Sequence, residues 1–189
     1  MRYNKSLTFS LLIAAIVMTG CNRAQKMNQQ AYDHSELSNY GEALVLYEEL
    51  LEKKPDKPIL LNDYGWVLFM SDSLQQAEEI FVEAQQKGKN SGKLLKRNIE
   101  KNLMITRSFM KIKSHLENQE PEKAKEILNQ LDKSWKVREM RLKYYALTHE
   151  QLGNPGKARE YWQQIIDKFA HNDFKTQYHQ LAEQKLQAQ

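Results

Sequence analysis

A chain of 189 residues has room for one domain, and seven glycines and four prolines are too few for a loop-rich β fold. The single cysteine excludes an intrachain disulfide framework. The 28 Lys and Arg against 24 Asp and Glu leave a formal charge of +4, too small for a global attraction to nucleic acid. A mean hydropathy of −0.74 suits an elongated helical stack with much surface better than a compact globule.

Arg2 and Lys5 precede an apolar stretch, Leu11 to Met18, which runs into Thr19-Gly20-Cys21. That order predicts a secretory signal peptide, and the apolar stretch is too short to persist as a membrane-spanning helix. Val17-Met18-Thr19-Gly20-Cys21 resembles the lipobox of bacterial lipoproteins, with Met18 where leucine is usual. The resemblance implies removal of residues 1–20 as a lipoprotein signal peptide. It also implies lipidation of Cys21, through a diacylglyceryl thioether and an amide-linked acyl chain, which together anchor a protein stably. Losing Arg2 and Lys5 takes the charge from +4 to +2. The location implied is the periplasmic side of the bacterial cell envelope. Asn22 stands where aspartate is the usual inner-membrane retention signal in enteric bacteria, which favours the outer membrane over the inner. Residues 21–27 are then expected as a lipidated tether reaching at most roughly 20 Å.

Residues 58–91 hold two amphipathic patterns in succession. Leu61, Tyr64, Gly65 and Leu68 recur at helical spacing, as do Leu74, Ala77, Phe81 and Ala84. Ser71-Asp72-Ser73 between them is turn and cap chemistry. The pattern predicts a helical hairpin, which cannot bury its apolar faces without stacked neighbours. With Ala77 as reference, equivalent small residues stand at Ala43, Ala124 and Ala158, at intervals of 34, 47 and 34, the middle one a period plus 13. A bulky residue follows each alanine by four positions: Tyr47, Phe81, Leu128 and Trp162. A small residue precedes three of them by twelve, Ala31, Gly65 and Ala146, while Ile112 takes that place in the third unit. Small residues let helices approach closely, and the bulky one fills the next gap.

This 34-residue spacing resembles the tetratricopeptide repeat. The implied fold is all-α, a right-handed superhelical stack of four tetratricopeptide-like hairpins at about 24–57, 58–91, 105–138 and 139–172. A capping helix at 173–187 completes a repeat domain over 28–187. Residues 92–104 are an insertion without a helix breaker. They are read as continuous with the next unit, one helix from about Lys93 to Glu117 with Leu95, Ile99, Leu103 and Met110 as its apolar stripe, or else as a separate helix at which the stack bends.

In tetratricopeptide stacks the first helices line a concave groove that binds peptide segments. Carried over by register, the resemblance implies a groove lined by Tyr32, Asn62, Trp66, Phe69, Met70, Phe109, Lys113 and Lys143, with Glu36 and Leu147 beside them. Trp66, Phe69 and Met70 share one helix face and are not spent on the packing stripe. They are expected either as an exposed hot spot for a partner or as covered by the chain itself. Lys93, Arg97 and Lys101 fall on one side of a helix, read as a solvated face or as a contact for an anionic partner. His34, His115 and His149 hold one register in three units, too far apart to share an ion, so no metal is expected. The absence of a phosphate loop, a zinc spacing or a nucleophile elbow argues against an enzyme and against a cofactor. The function implied is a lipid-anchored scaffold binding other cell-envelope proteins, an accessory factor for pilus, secretion-system or outer-membrane assembly. The alternative is a membrane-tethered adaptor regulating a cell-wall (peptidoglycan) enzyme. Nucleic acid is not expected as a partner.

Overall fold

The computed structural model describes residues 23–131, 138–169 and 175–188. Among these residues the regular structure is all helix. The elements are α1 (23–36), α2 (Tyr40–Lys53), α3 (Pro58–Met70), α4 (Leu74–Lys87), α5 (Lys93–Glu117), α6 (Pro121–Gln130), α7 (Arg138–Gln151), α8 (Pro155–Phe169) and α9 (Gln177–Gln187). Helices α1 to α8 form four consecutive hairpins that stack side by side, and α9 closes against α8 and α7. No helix of the described residues is long and apolar enough to cross a membrane. Cys21, the leader 1–20 and His171 lie outside the described residues. Residues 23–27, expected as tether, already belong to α1, and Met27 is buried with Ala31, Ala43 and Tyr47.

The alanine spacing survives in three dimensions. Ala43, Ala77, Ala124 and Ala158 each sit at the fourth position of the second helix of a hairpin, and each is fully buried. Their amides donate to the carbonyls of Asn39, Ser73, Glu120 and Asn154 at 3.2, 2.9, 3.3 and 3.1 Å. Five residues before each alanine the chain turns through left-handed backbone: Ser38 (φ 63°), Asp72 (63°), Gln119 (57°) and Gly153 (68°). At every one of these turns two successive amides reach back to carbonyls three and five residues earlier, as in Asp72 to Phe69 (3.0 Å) and Ser73 to Leu68 (2.9 Å). This Schellman pairing satisfies carbonyls that the first helix leaves open. Only Gly153 lacks the Cβ that makes left-handed backbone costly.

Tyr47, Phe81, Leu128 and Trp162 fill the spaces between hairpins and are buried. Gly65 permits a close approach of α3 and α4: a Cβ there would stand 2.9 Å from the Phe81 ring and 3.2 Å from Ile80 Cγ2. Helix α5 runs unbroken for 25 residues, the continuous form of the two expected, whereas its partner α6 has 10. The N-terminal half of α5 therefore leans on α3 and α4 instead. Ile99 is buried with Leu61 and Ala84, and Asn102 Nδ2 donates to Asn62 Oδ1 at 3.0 Å.

Contacts between distant repeats close the stack. Lys143 on α7 pairs with Asp72 in the α3–α4 turn. Tyr144 Oη donates to the same carboxylate at 3.2 Å, and Tyr178 Oη on α9 donates to the carbonyl of Met70 at 2.9 Å. These polar links cap an apolar cluster that includes Leu68, Phe69, Phe109, Tyr144, Trp162 and Tyr178.

Candidate functional site

The closure divides the concave face in two. Toward the C-terminus, Phe69 and Phe109 are fully buried with ring centroids 5.5 Å apart, and Tyr144 lies 5.5 Å beyond Phe109. Lys143 is also buried, paired with Asp72 and 4.5 Å from the Tyr144 ring centroid. Phe69, Phe109 and Lys143 therefore do not line an open groove, which corrects the register-based expectation. The residues that cover them come from α7 and α9, far along the chain. Met70 is half-buried against the same cluster, and Leu147 packs there too. Lys113 is exposed beside a separate shallow depression at the start of α4, with Met110 and Glu117.

Toward the N-terminus the face stays open. Helices α1, α3 and α5 enclose a cleft of about 380 Å³. Helix α1 contributes Tyr32, Ser35 and Glu36; α3 contributes Asn62, Asp63, Trp66 and Val67; α5 contributes Asn98, Lys101, Asn102 and Ile105; Tyr47 of α2 lies beneath. The structure thus brings Tyr32, Asn62 and Trp66 together as expected from register. Tyr32 is 48 % exposed, while Trp66 is half-buried and stacks on Phe69 at 5.1 Å and 28°. Buried Phe69 backs the indole and fixes its orientation.

Carboxamides run across the cleft. Asn102 Nδ2 donates to Asn62 Oδ1 at 3.0 Å, and Asn62 Nδ2 donates to Asp63 Oδ1 at 3.2 Å. Asn62 is buried, and these two bonds fix its carboxamide in the cleft floor. The Tyr32 phenol is held above its ordinary pKa, first by the Glu36 carboxylate, with burial, Asp33 and Asp63 adding to the effect. Burial likewise pushes the Tyr47 phenol up, again with Asp63 and Glu36 contributing.

Sequence register did not point to Asn98 and Asn102, which belong to the insertion 92–104, or to Ile105, the first residue after it. Their spacing carried a signal all the same: they share a helix face offset by one position from Leu95, Ile99 and Leu103. Lys93 and Arg97 are exposed on α5, whereas Lys101 lines the cleft. The three histidines sit just before the left-handed turns. His34 Nδ1 lies 3.3 Å from Asn39 Nδ2, His115 Nδ1 lies 2.7 Å from Glu120 Oε2, and His149 stacks on Tyr161 at 5.6 Å. Among the described residues, no group of three or more His, Cys, Asp or Glu side chains is placed to hold a metal ion.

Two family models, each described as a tetratricopeptide repeat, match residues 28–91 and 144–172. These two segments carry tetratricopeptide repeats. The matched segments contain the first two hairpins from residue 28 onward and most of the fourth. The third hairpin falls outside them; it carries the 25-residue α5 and has Ile112 where the others have a small residue. No curated protein matches the chain. Tetratricopeptide repeats generally mediate binding of protein partners.

Proposed function

We propose that the chain is a lipid-anchored, periplasm-facing scaffold that captures an extended segment of another cell-envelope protein in the cleft between α1, α3 and α5. The observation that carries this reading is the cleft itself. It is about 380 Å³ in volume, walled by Tyr32 and Trp66 and crossed by the Asn62 and Asn102 carboxamides. Apolar walls with a few convergent polar groups are what a peptide segment requires. The lipobox-like stretch ending at Cys21 supports the anchor, and the partners in view are components of pilus, secretion-system or outer-membrane assembly.

The test is a photo-crosslinking amino acid placed at Tyr32 in intact cells. Crosslinks to pilus, secretin or outer-membrane assembly components are the expected result; crosslinks to a peptidoglycan enzyme would move the reading to a cell-wall adaptor. Absence of any crosslink at Tyr32, with crosslinks recovered from the opposite face at Val45, would remove the cleft as the binding site. In the same cells Cys21→Ser should release the protein from membranes, and unchanged membrane retention would refute the anchor.

A further inference from the structure

The left-handed turns at Ser38, Asp72 and Gln119 lie along one edge of the first three hairpins. At the other edge Arg23, the ends of α2 and α4 and the starts of α3 and α5 come together. Arg23 reaches Glu49 near the end of α2 at 3.7 Å. Lys87, the last residue of α4, donates to the Pro55 carbonyl just before α3 at 2.9 Å. A Cβ on Gly88 would stand 3.4 Å from Pro58 Cβ and 3.5 Å from Ile99 Cδ1, so α3 and α5 both run inward from here. Helix α5 projects beyond this edge. Asn102, its tenth residue, bonds to Asn62, the fifth of α3, so α5 starts five residues, roughly 7.5 Å, farther out.

The acids at this edge are largely spent. Glu49 pairs with Arg23 and Lys53, while Asp56 and Glu83 both pair with Lys87. Lys54, Lys57, Lys89, Lys93, Lys96 and Arg97 are exposed, and none of them is ion-paired among the described residues. Glu52 and Glu100 are the exposed acids left to oppose them. The projecting turn of α5 also carries Leu94, at 74 % the most exposed large hydrophobic side chain of the described residues. Ile59 at the start of α3 is 55 % exposed. A soluble polyanion would use the cations and leave Leu94 in water, whereas a bilayer with anionic head groups over an apolar interior engages both.

We propose that this edge lies against an anionic phospholipid bilayer, with Lys93, Lys96 and Arg97 on the lipid phosphates and Leu94 dipping beneath them. The inference rests on the anchored reading above, in which the lipid on Cys21 leaves from this same edge, two positions before Arg23. The basic edge then supplies a second contact beside the lipid and holds the stack in one orientation.

The experiment uses residues 21–189 with Cys21→Ser, free of leader and lipid. Every buried contact described above lies within residues 23–188, and circular dichroism will verify the helix content. Binding is read by co-sedimentation at low salt with vesicles of phosphatidylcholine, alone or mixed with phosphatidylglycerol. Binding to the mixed vesicles only, weakened by added salt, is expected. Lys93→Gln, Lys96→Gln and Arg97→Gln should each weaken it about fivefold. Leu94→Asn should also weaken it while leaving binding to soluble polyphosphate unchanged. The triple variant Lys111→Gln, Lys113→Gln, Lys123→Gln removes the same charge from exposed positions near the other edge and should stay within about twofold of the parent. Equal losses from the two sets of three would reduce the attraction to overall charge and overturn the proposal. Leu94→Asn without effect on vesicle binding would assign the edge to a soluble polyanion and overturn it too, as would absence of binding to the mixed vesicles. Each of these failures leaves the anchor standing, since release of the Cys21→Ser protein in cells tests that separately.

Discussion

Glu139 offers the sharpest test of the packing. It stands near the start of α7, only 4 % exposed, and accepts a hydrogen bond from the Thr176 hydroxyl. Thr176 is in turn the N-cap of α9 and accepts from the His179 amide at 3.1 Å. Burial raises the Glu139 carboxyl from its ordinary 4.5 to about 7, and the Thr176 bond offsets only part of that rise. Below the ordinary value the group is protonated in both folded and unfolded chains and contributes nothing to the pH dependence. Between 4.5 and about 7 the folded chain keeps a proton that the unfolded chain has released, so stability falls as pH rises. Above that window the full loss stands, of order 3 kcal/mol at about 1.4 kcal/mol per unit. Glu139→Gln keeps an acceptor for Thr176 and removes the charge. It should leave stability near its starting value at about pH 4 and raise it by about 2–3 kcal/mol at about pH 8. Urea unfolding followed by circular dichroism at both pH values reads this as a midpoint shift of about 1 M at the higher pH only. An equal shift at both pH values, or a variant less stable at high pH, would show that Glu139 is not a buried, poorly compensated carboxyl.

Three other perturbations test the remaining joints. Lys143→Met should cost about 2–4 kcal/mol by leaving the half-buried Asp72 carboxylate without its ammonium. Adding Asp72→Asn should restore part of the loss, so strictly additive effects in urea unfolding would break the proposed latch between α7 and the α3–α4 turn. Gly65→Ala gains roughly 1 kcal/mol of helix propensity but sets a methyl group 2.9 Å from the Phe81 ring. A net loss of about 1–2 kcal/mol is expected, relieved by Phe81→Leu, and measured as a change in melting temperature. Phe69→Ala should cost about 3–5 kcal/mol as a core cavity. Tyr32→Ala should change stability by less than about 0.5 kcal/mol, and thermal unfolding of the two side by side separates core from cleft.

The hairpins were legible because one alanine per unit must be small wherever two helices nearly touch, and that requirement repeats along the chain. The turns were legible in place but not in conformation. Ser38, Asp72 and Gln119 adopt left-handed backbone that only the fourth turn announces with a glycine. The candidate site was legible at Tyr32, Asn62 and Trp66, where α1 and α3 follow the repeat. It failed at Phe69, Phe109 and Lys143 because their fate is decided by residues far along the chain. Asp72 and Lys143 are 71 positions apart, and Met70 and Tyr178 are 108 apart. A register carried from one unit to the next has no information about how tightly the stack curls. It also has no place for the insertion, so Asn98 and Asn102 in the α5 wall of the cleft were invisible to it.

In the reading proposed above, the curl and the insertion together leave one place for a segment to bind. Tyr144, Tyr178 and Lys143 occupy the concave face of the later repeats, and the extra turns of α5 build a third wall opposite α1 and α3. What remains open is the end of the stack nearest the N-terminus. The described part of α1 starts at residue 23, and Tyr32 lies nine residues on, roughly 14 Å at 1.5 Å of rise per residue. Residue 21 precedes residue 23 by two positions, a reach of at most roughly 7 Å. In the anchored reading proposed above, a lipid on Cys21 holds the cleft within about 20 Å of the head groups. The partner segment must then lie just above the bilayer. A crosslinker at Tyr32 should capture juxtamembrane stretches of the partner, and capture of its distal domains instead would separate the cleft from the anchor.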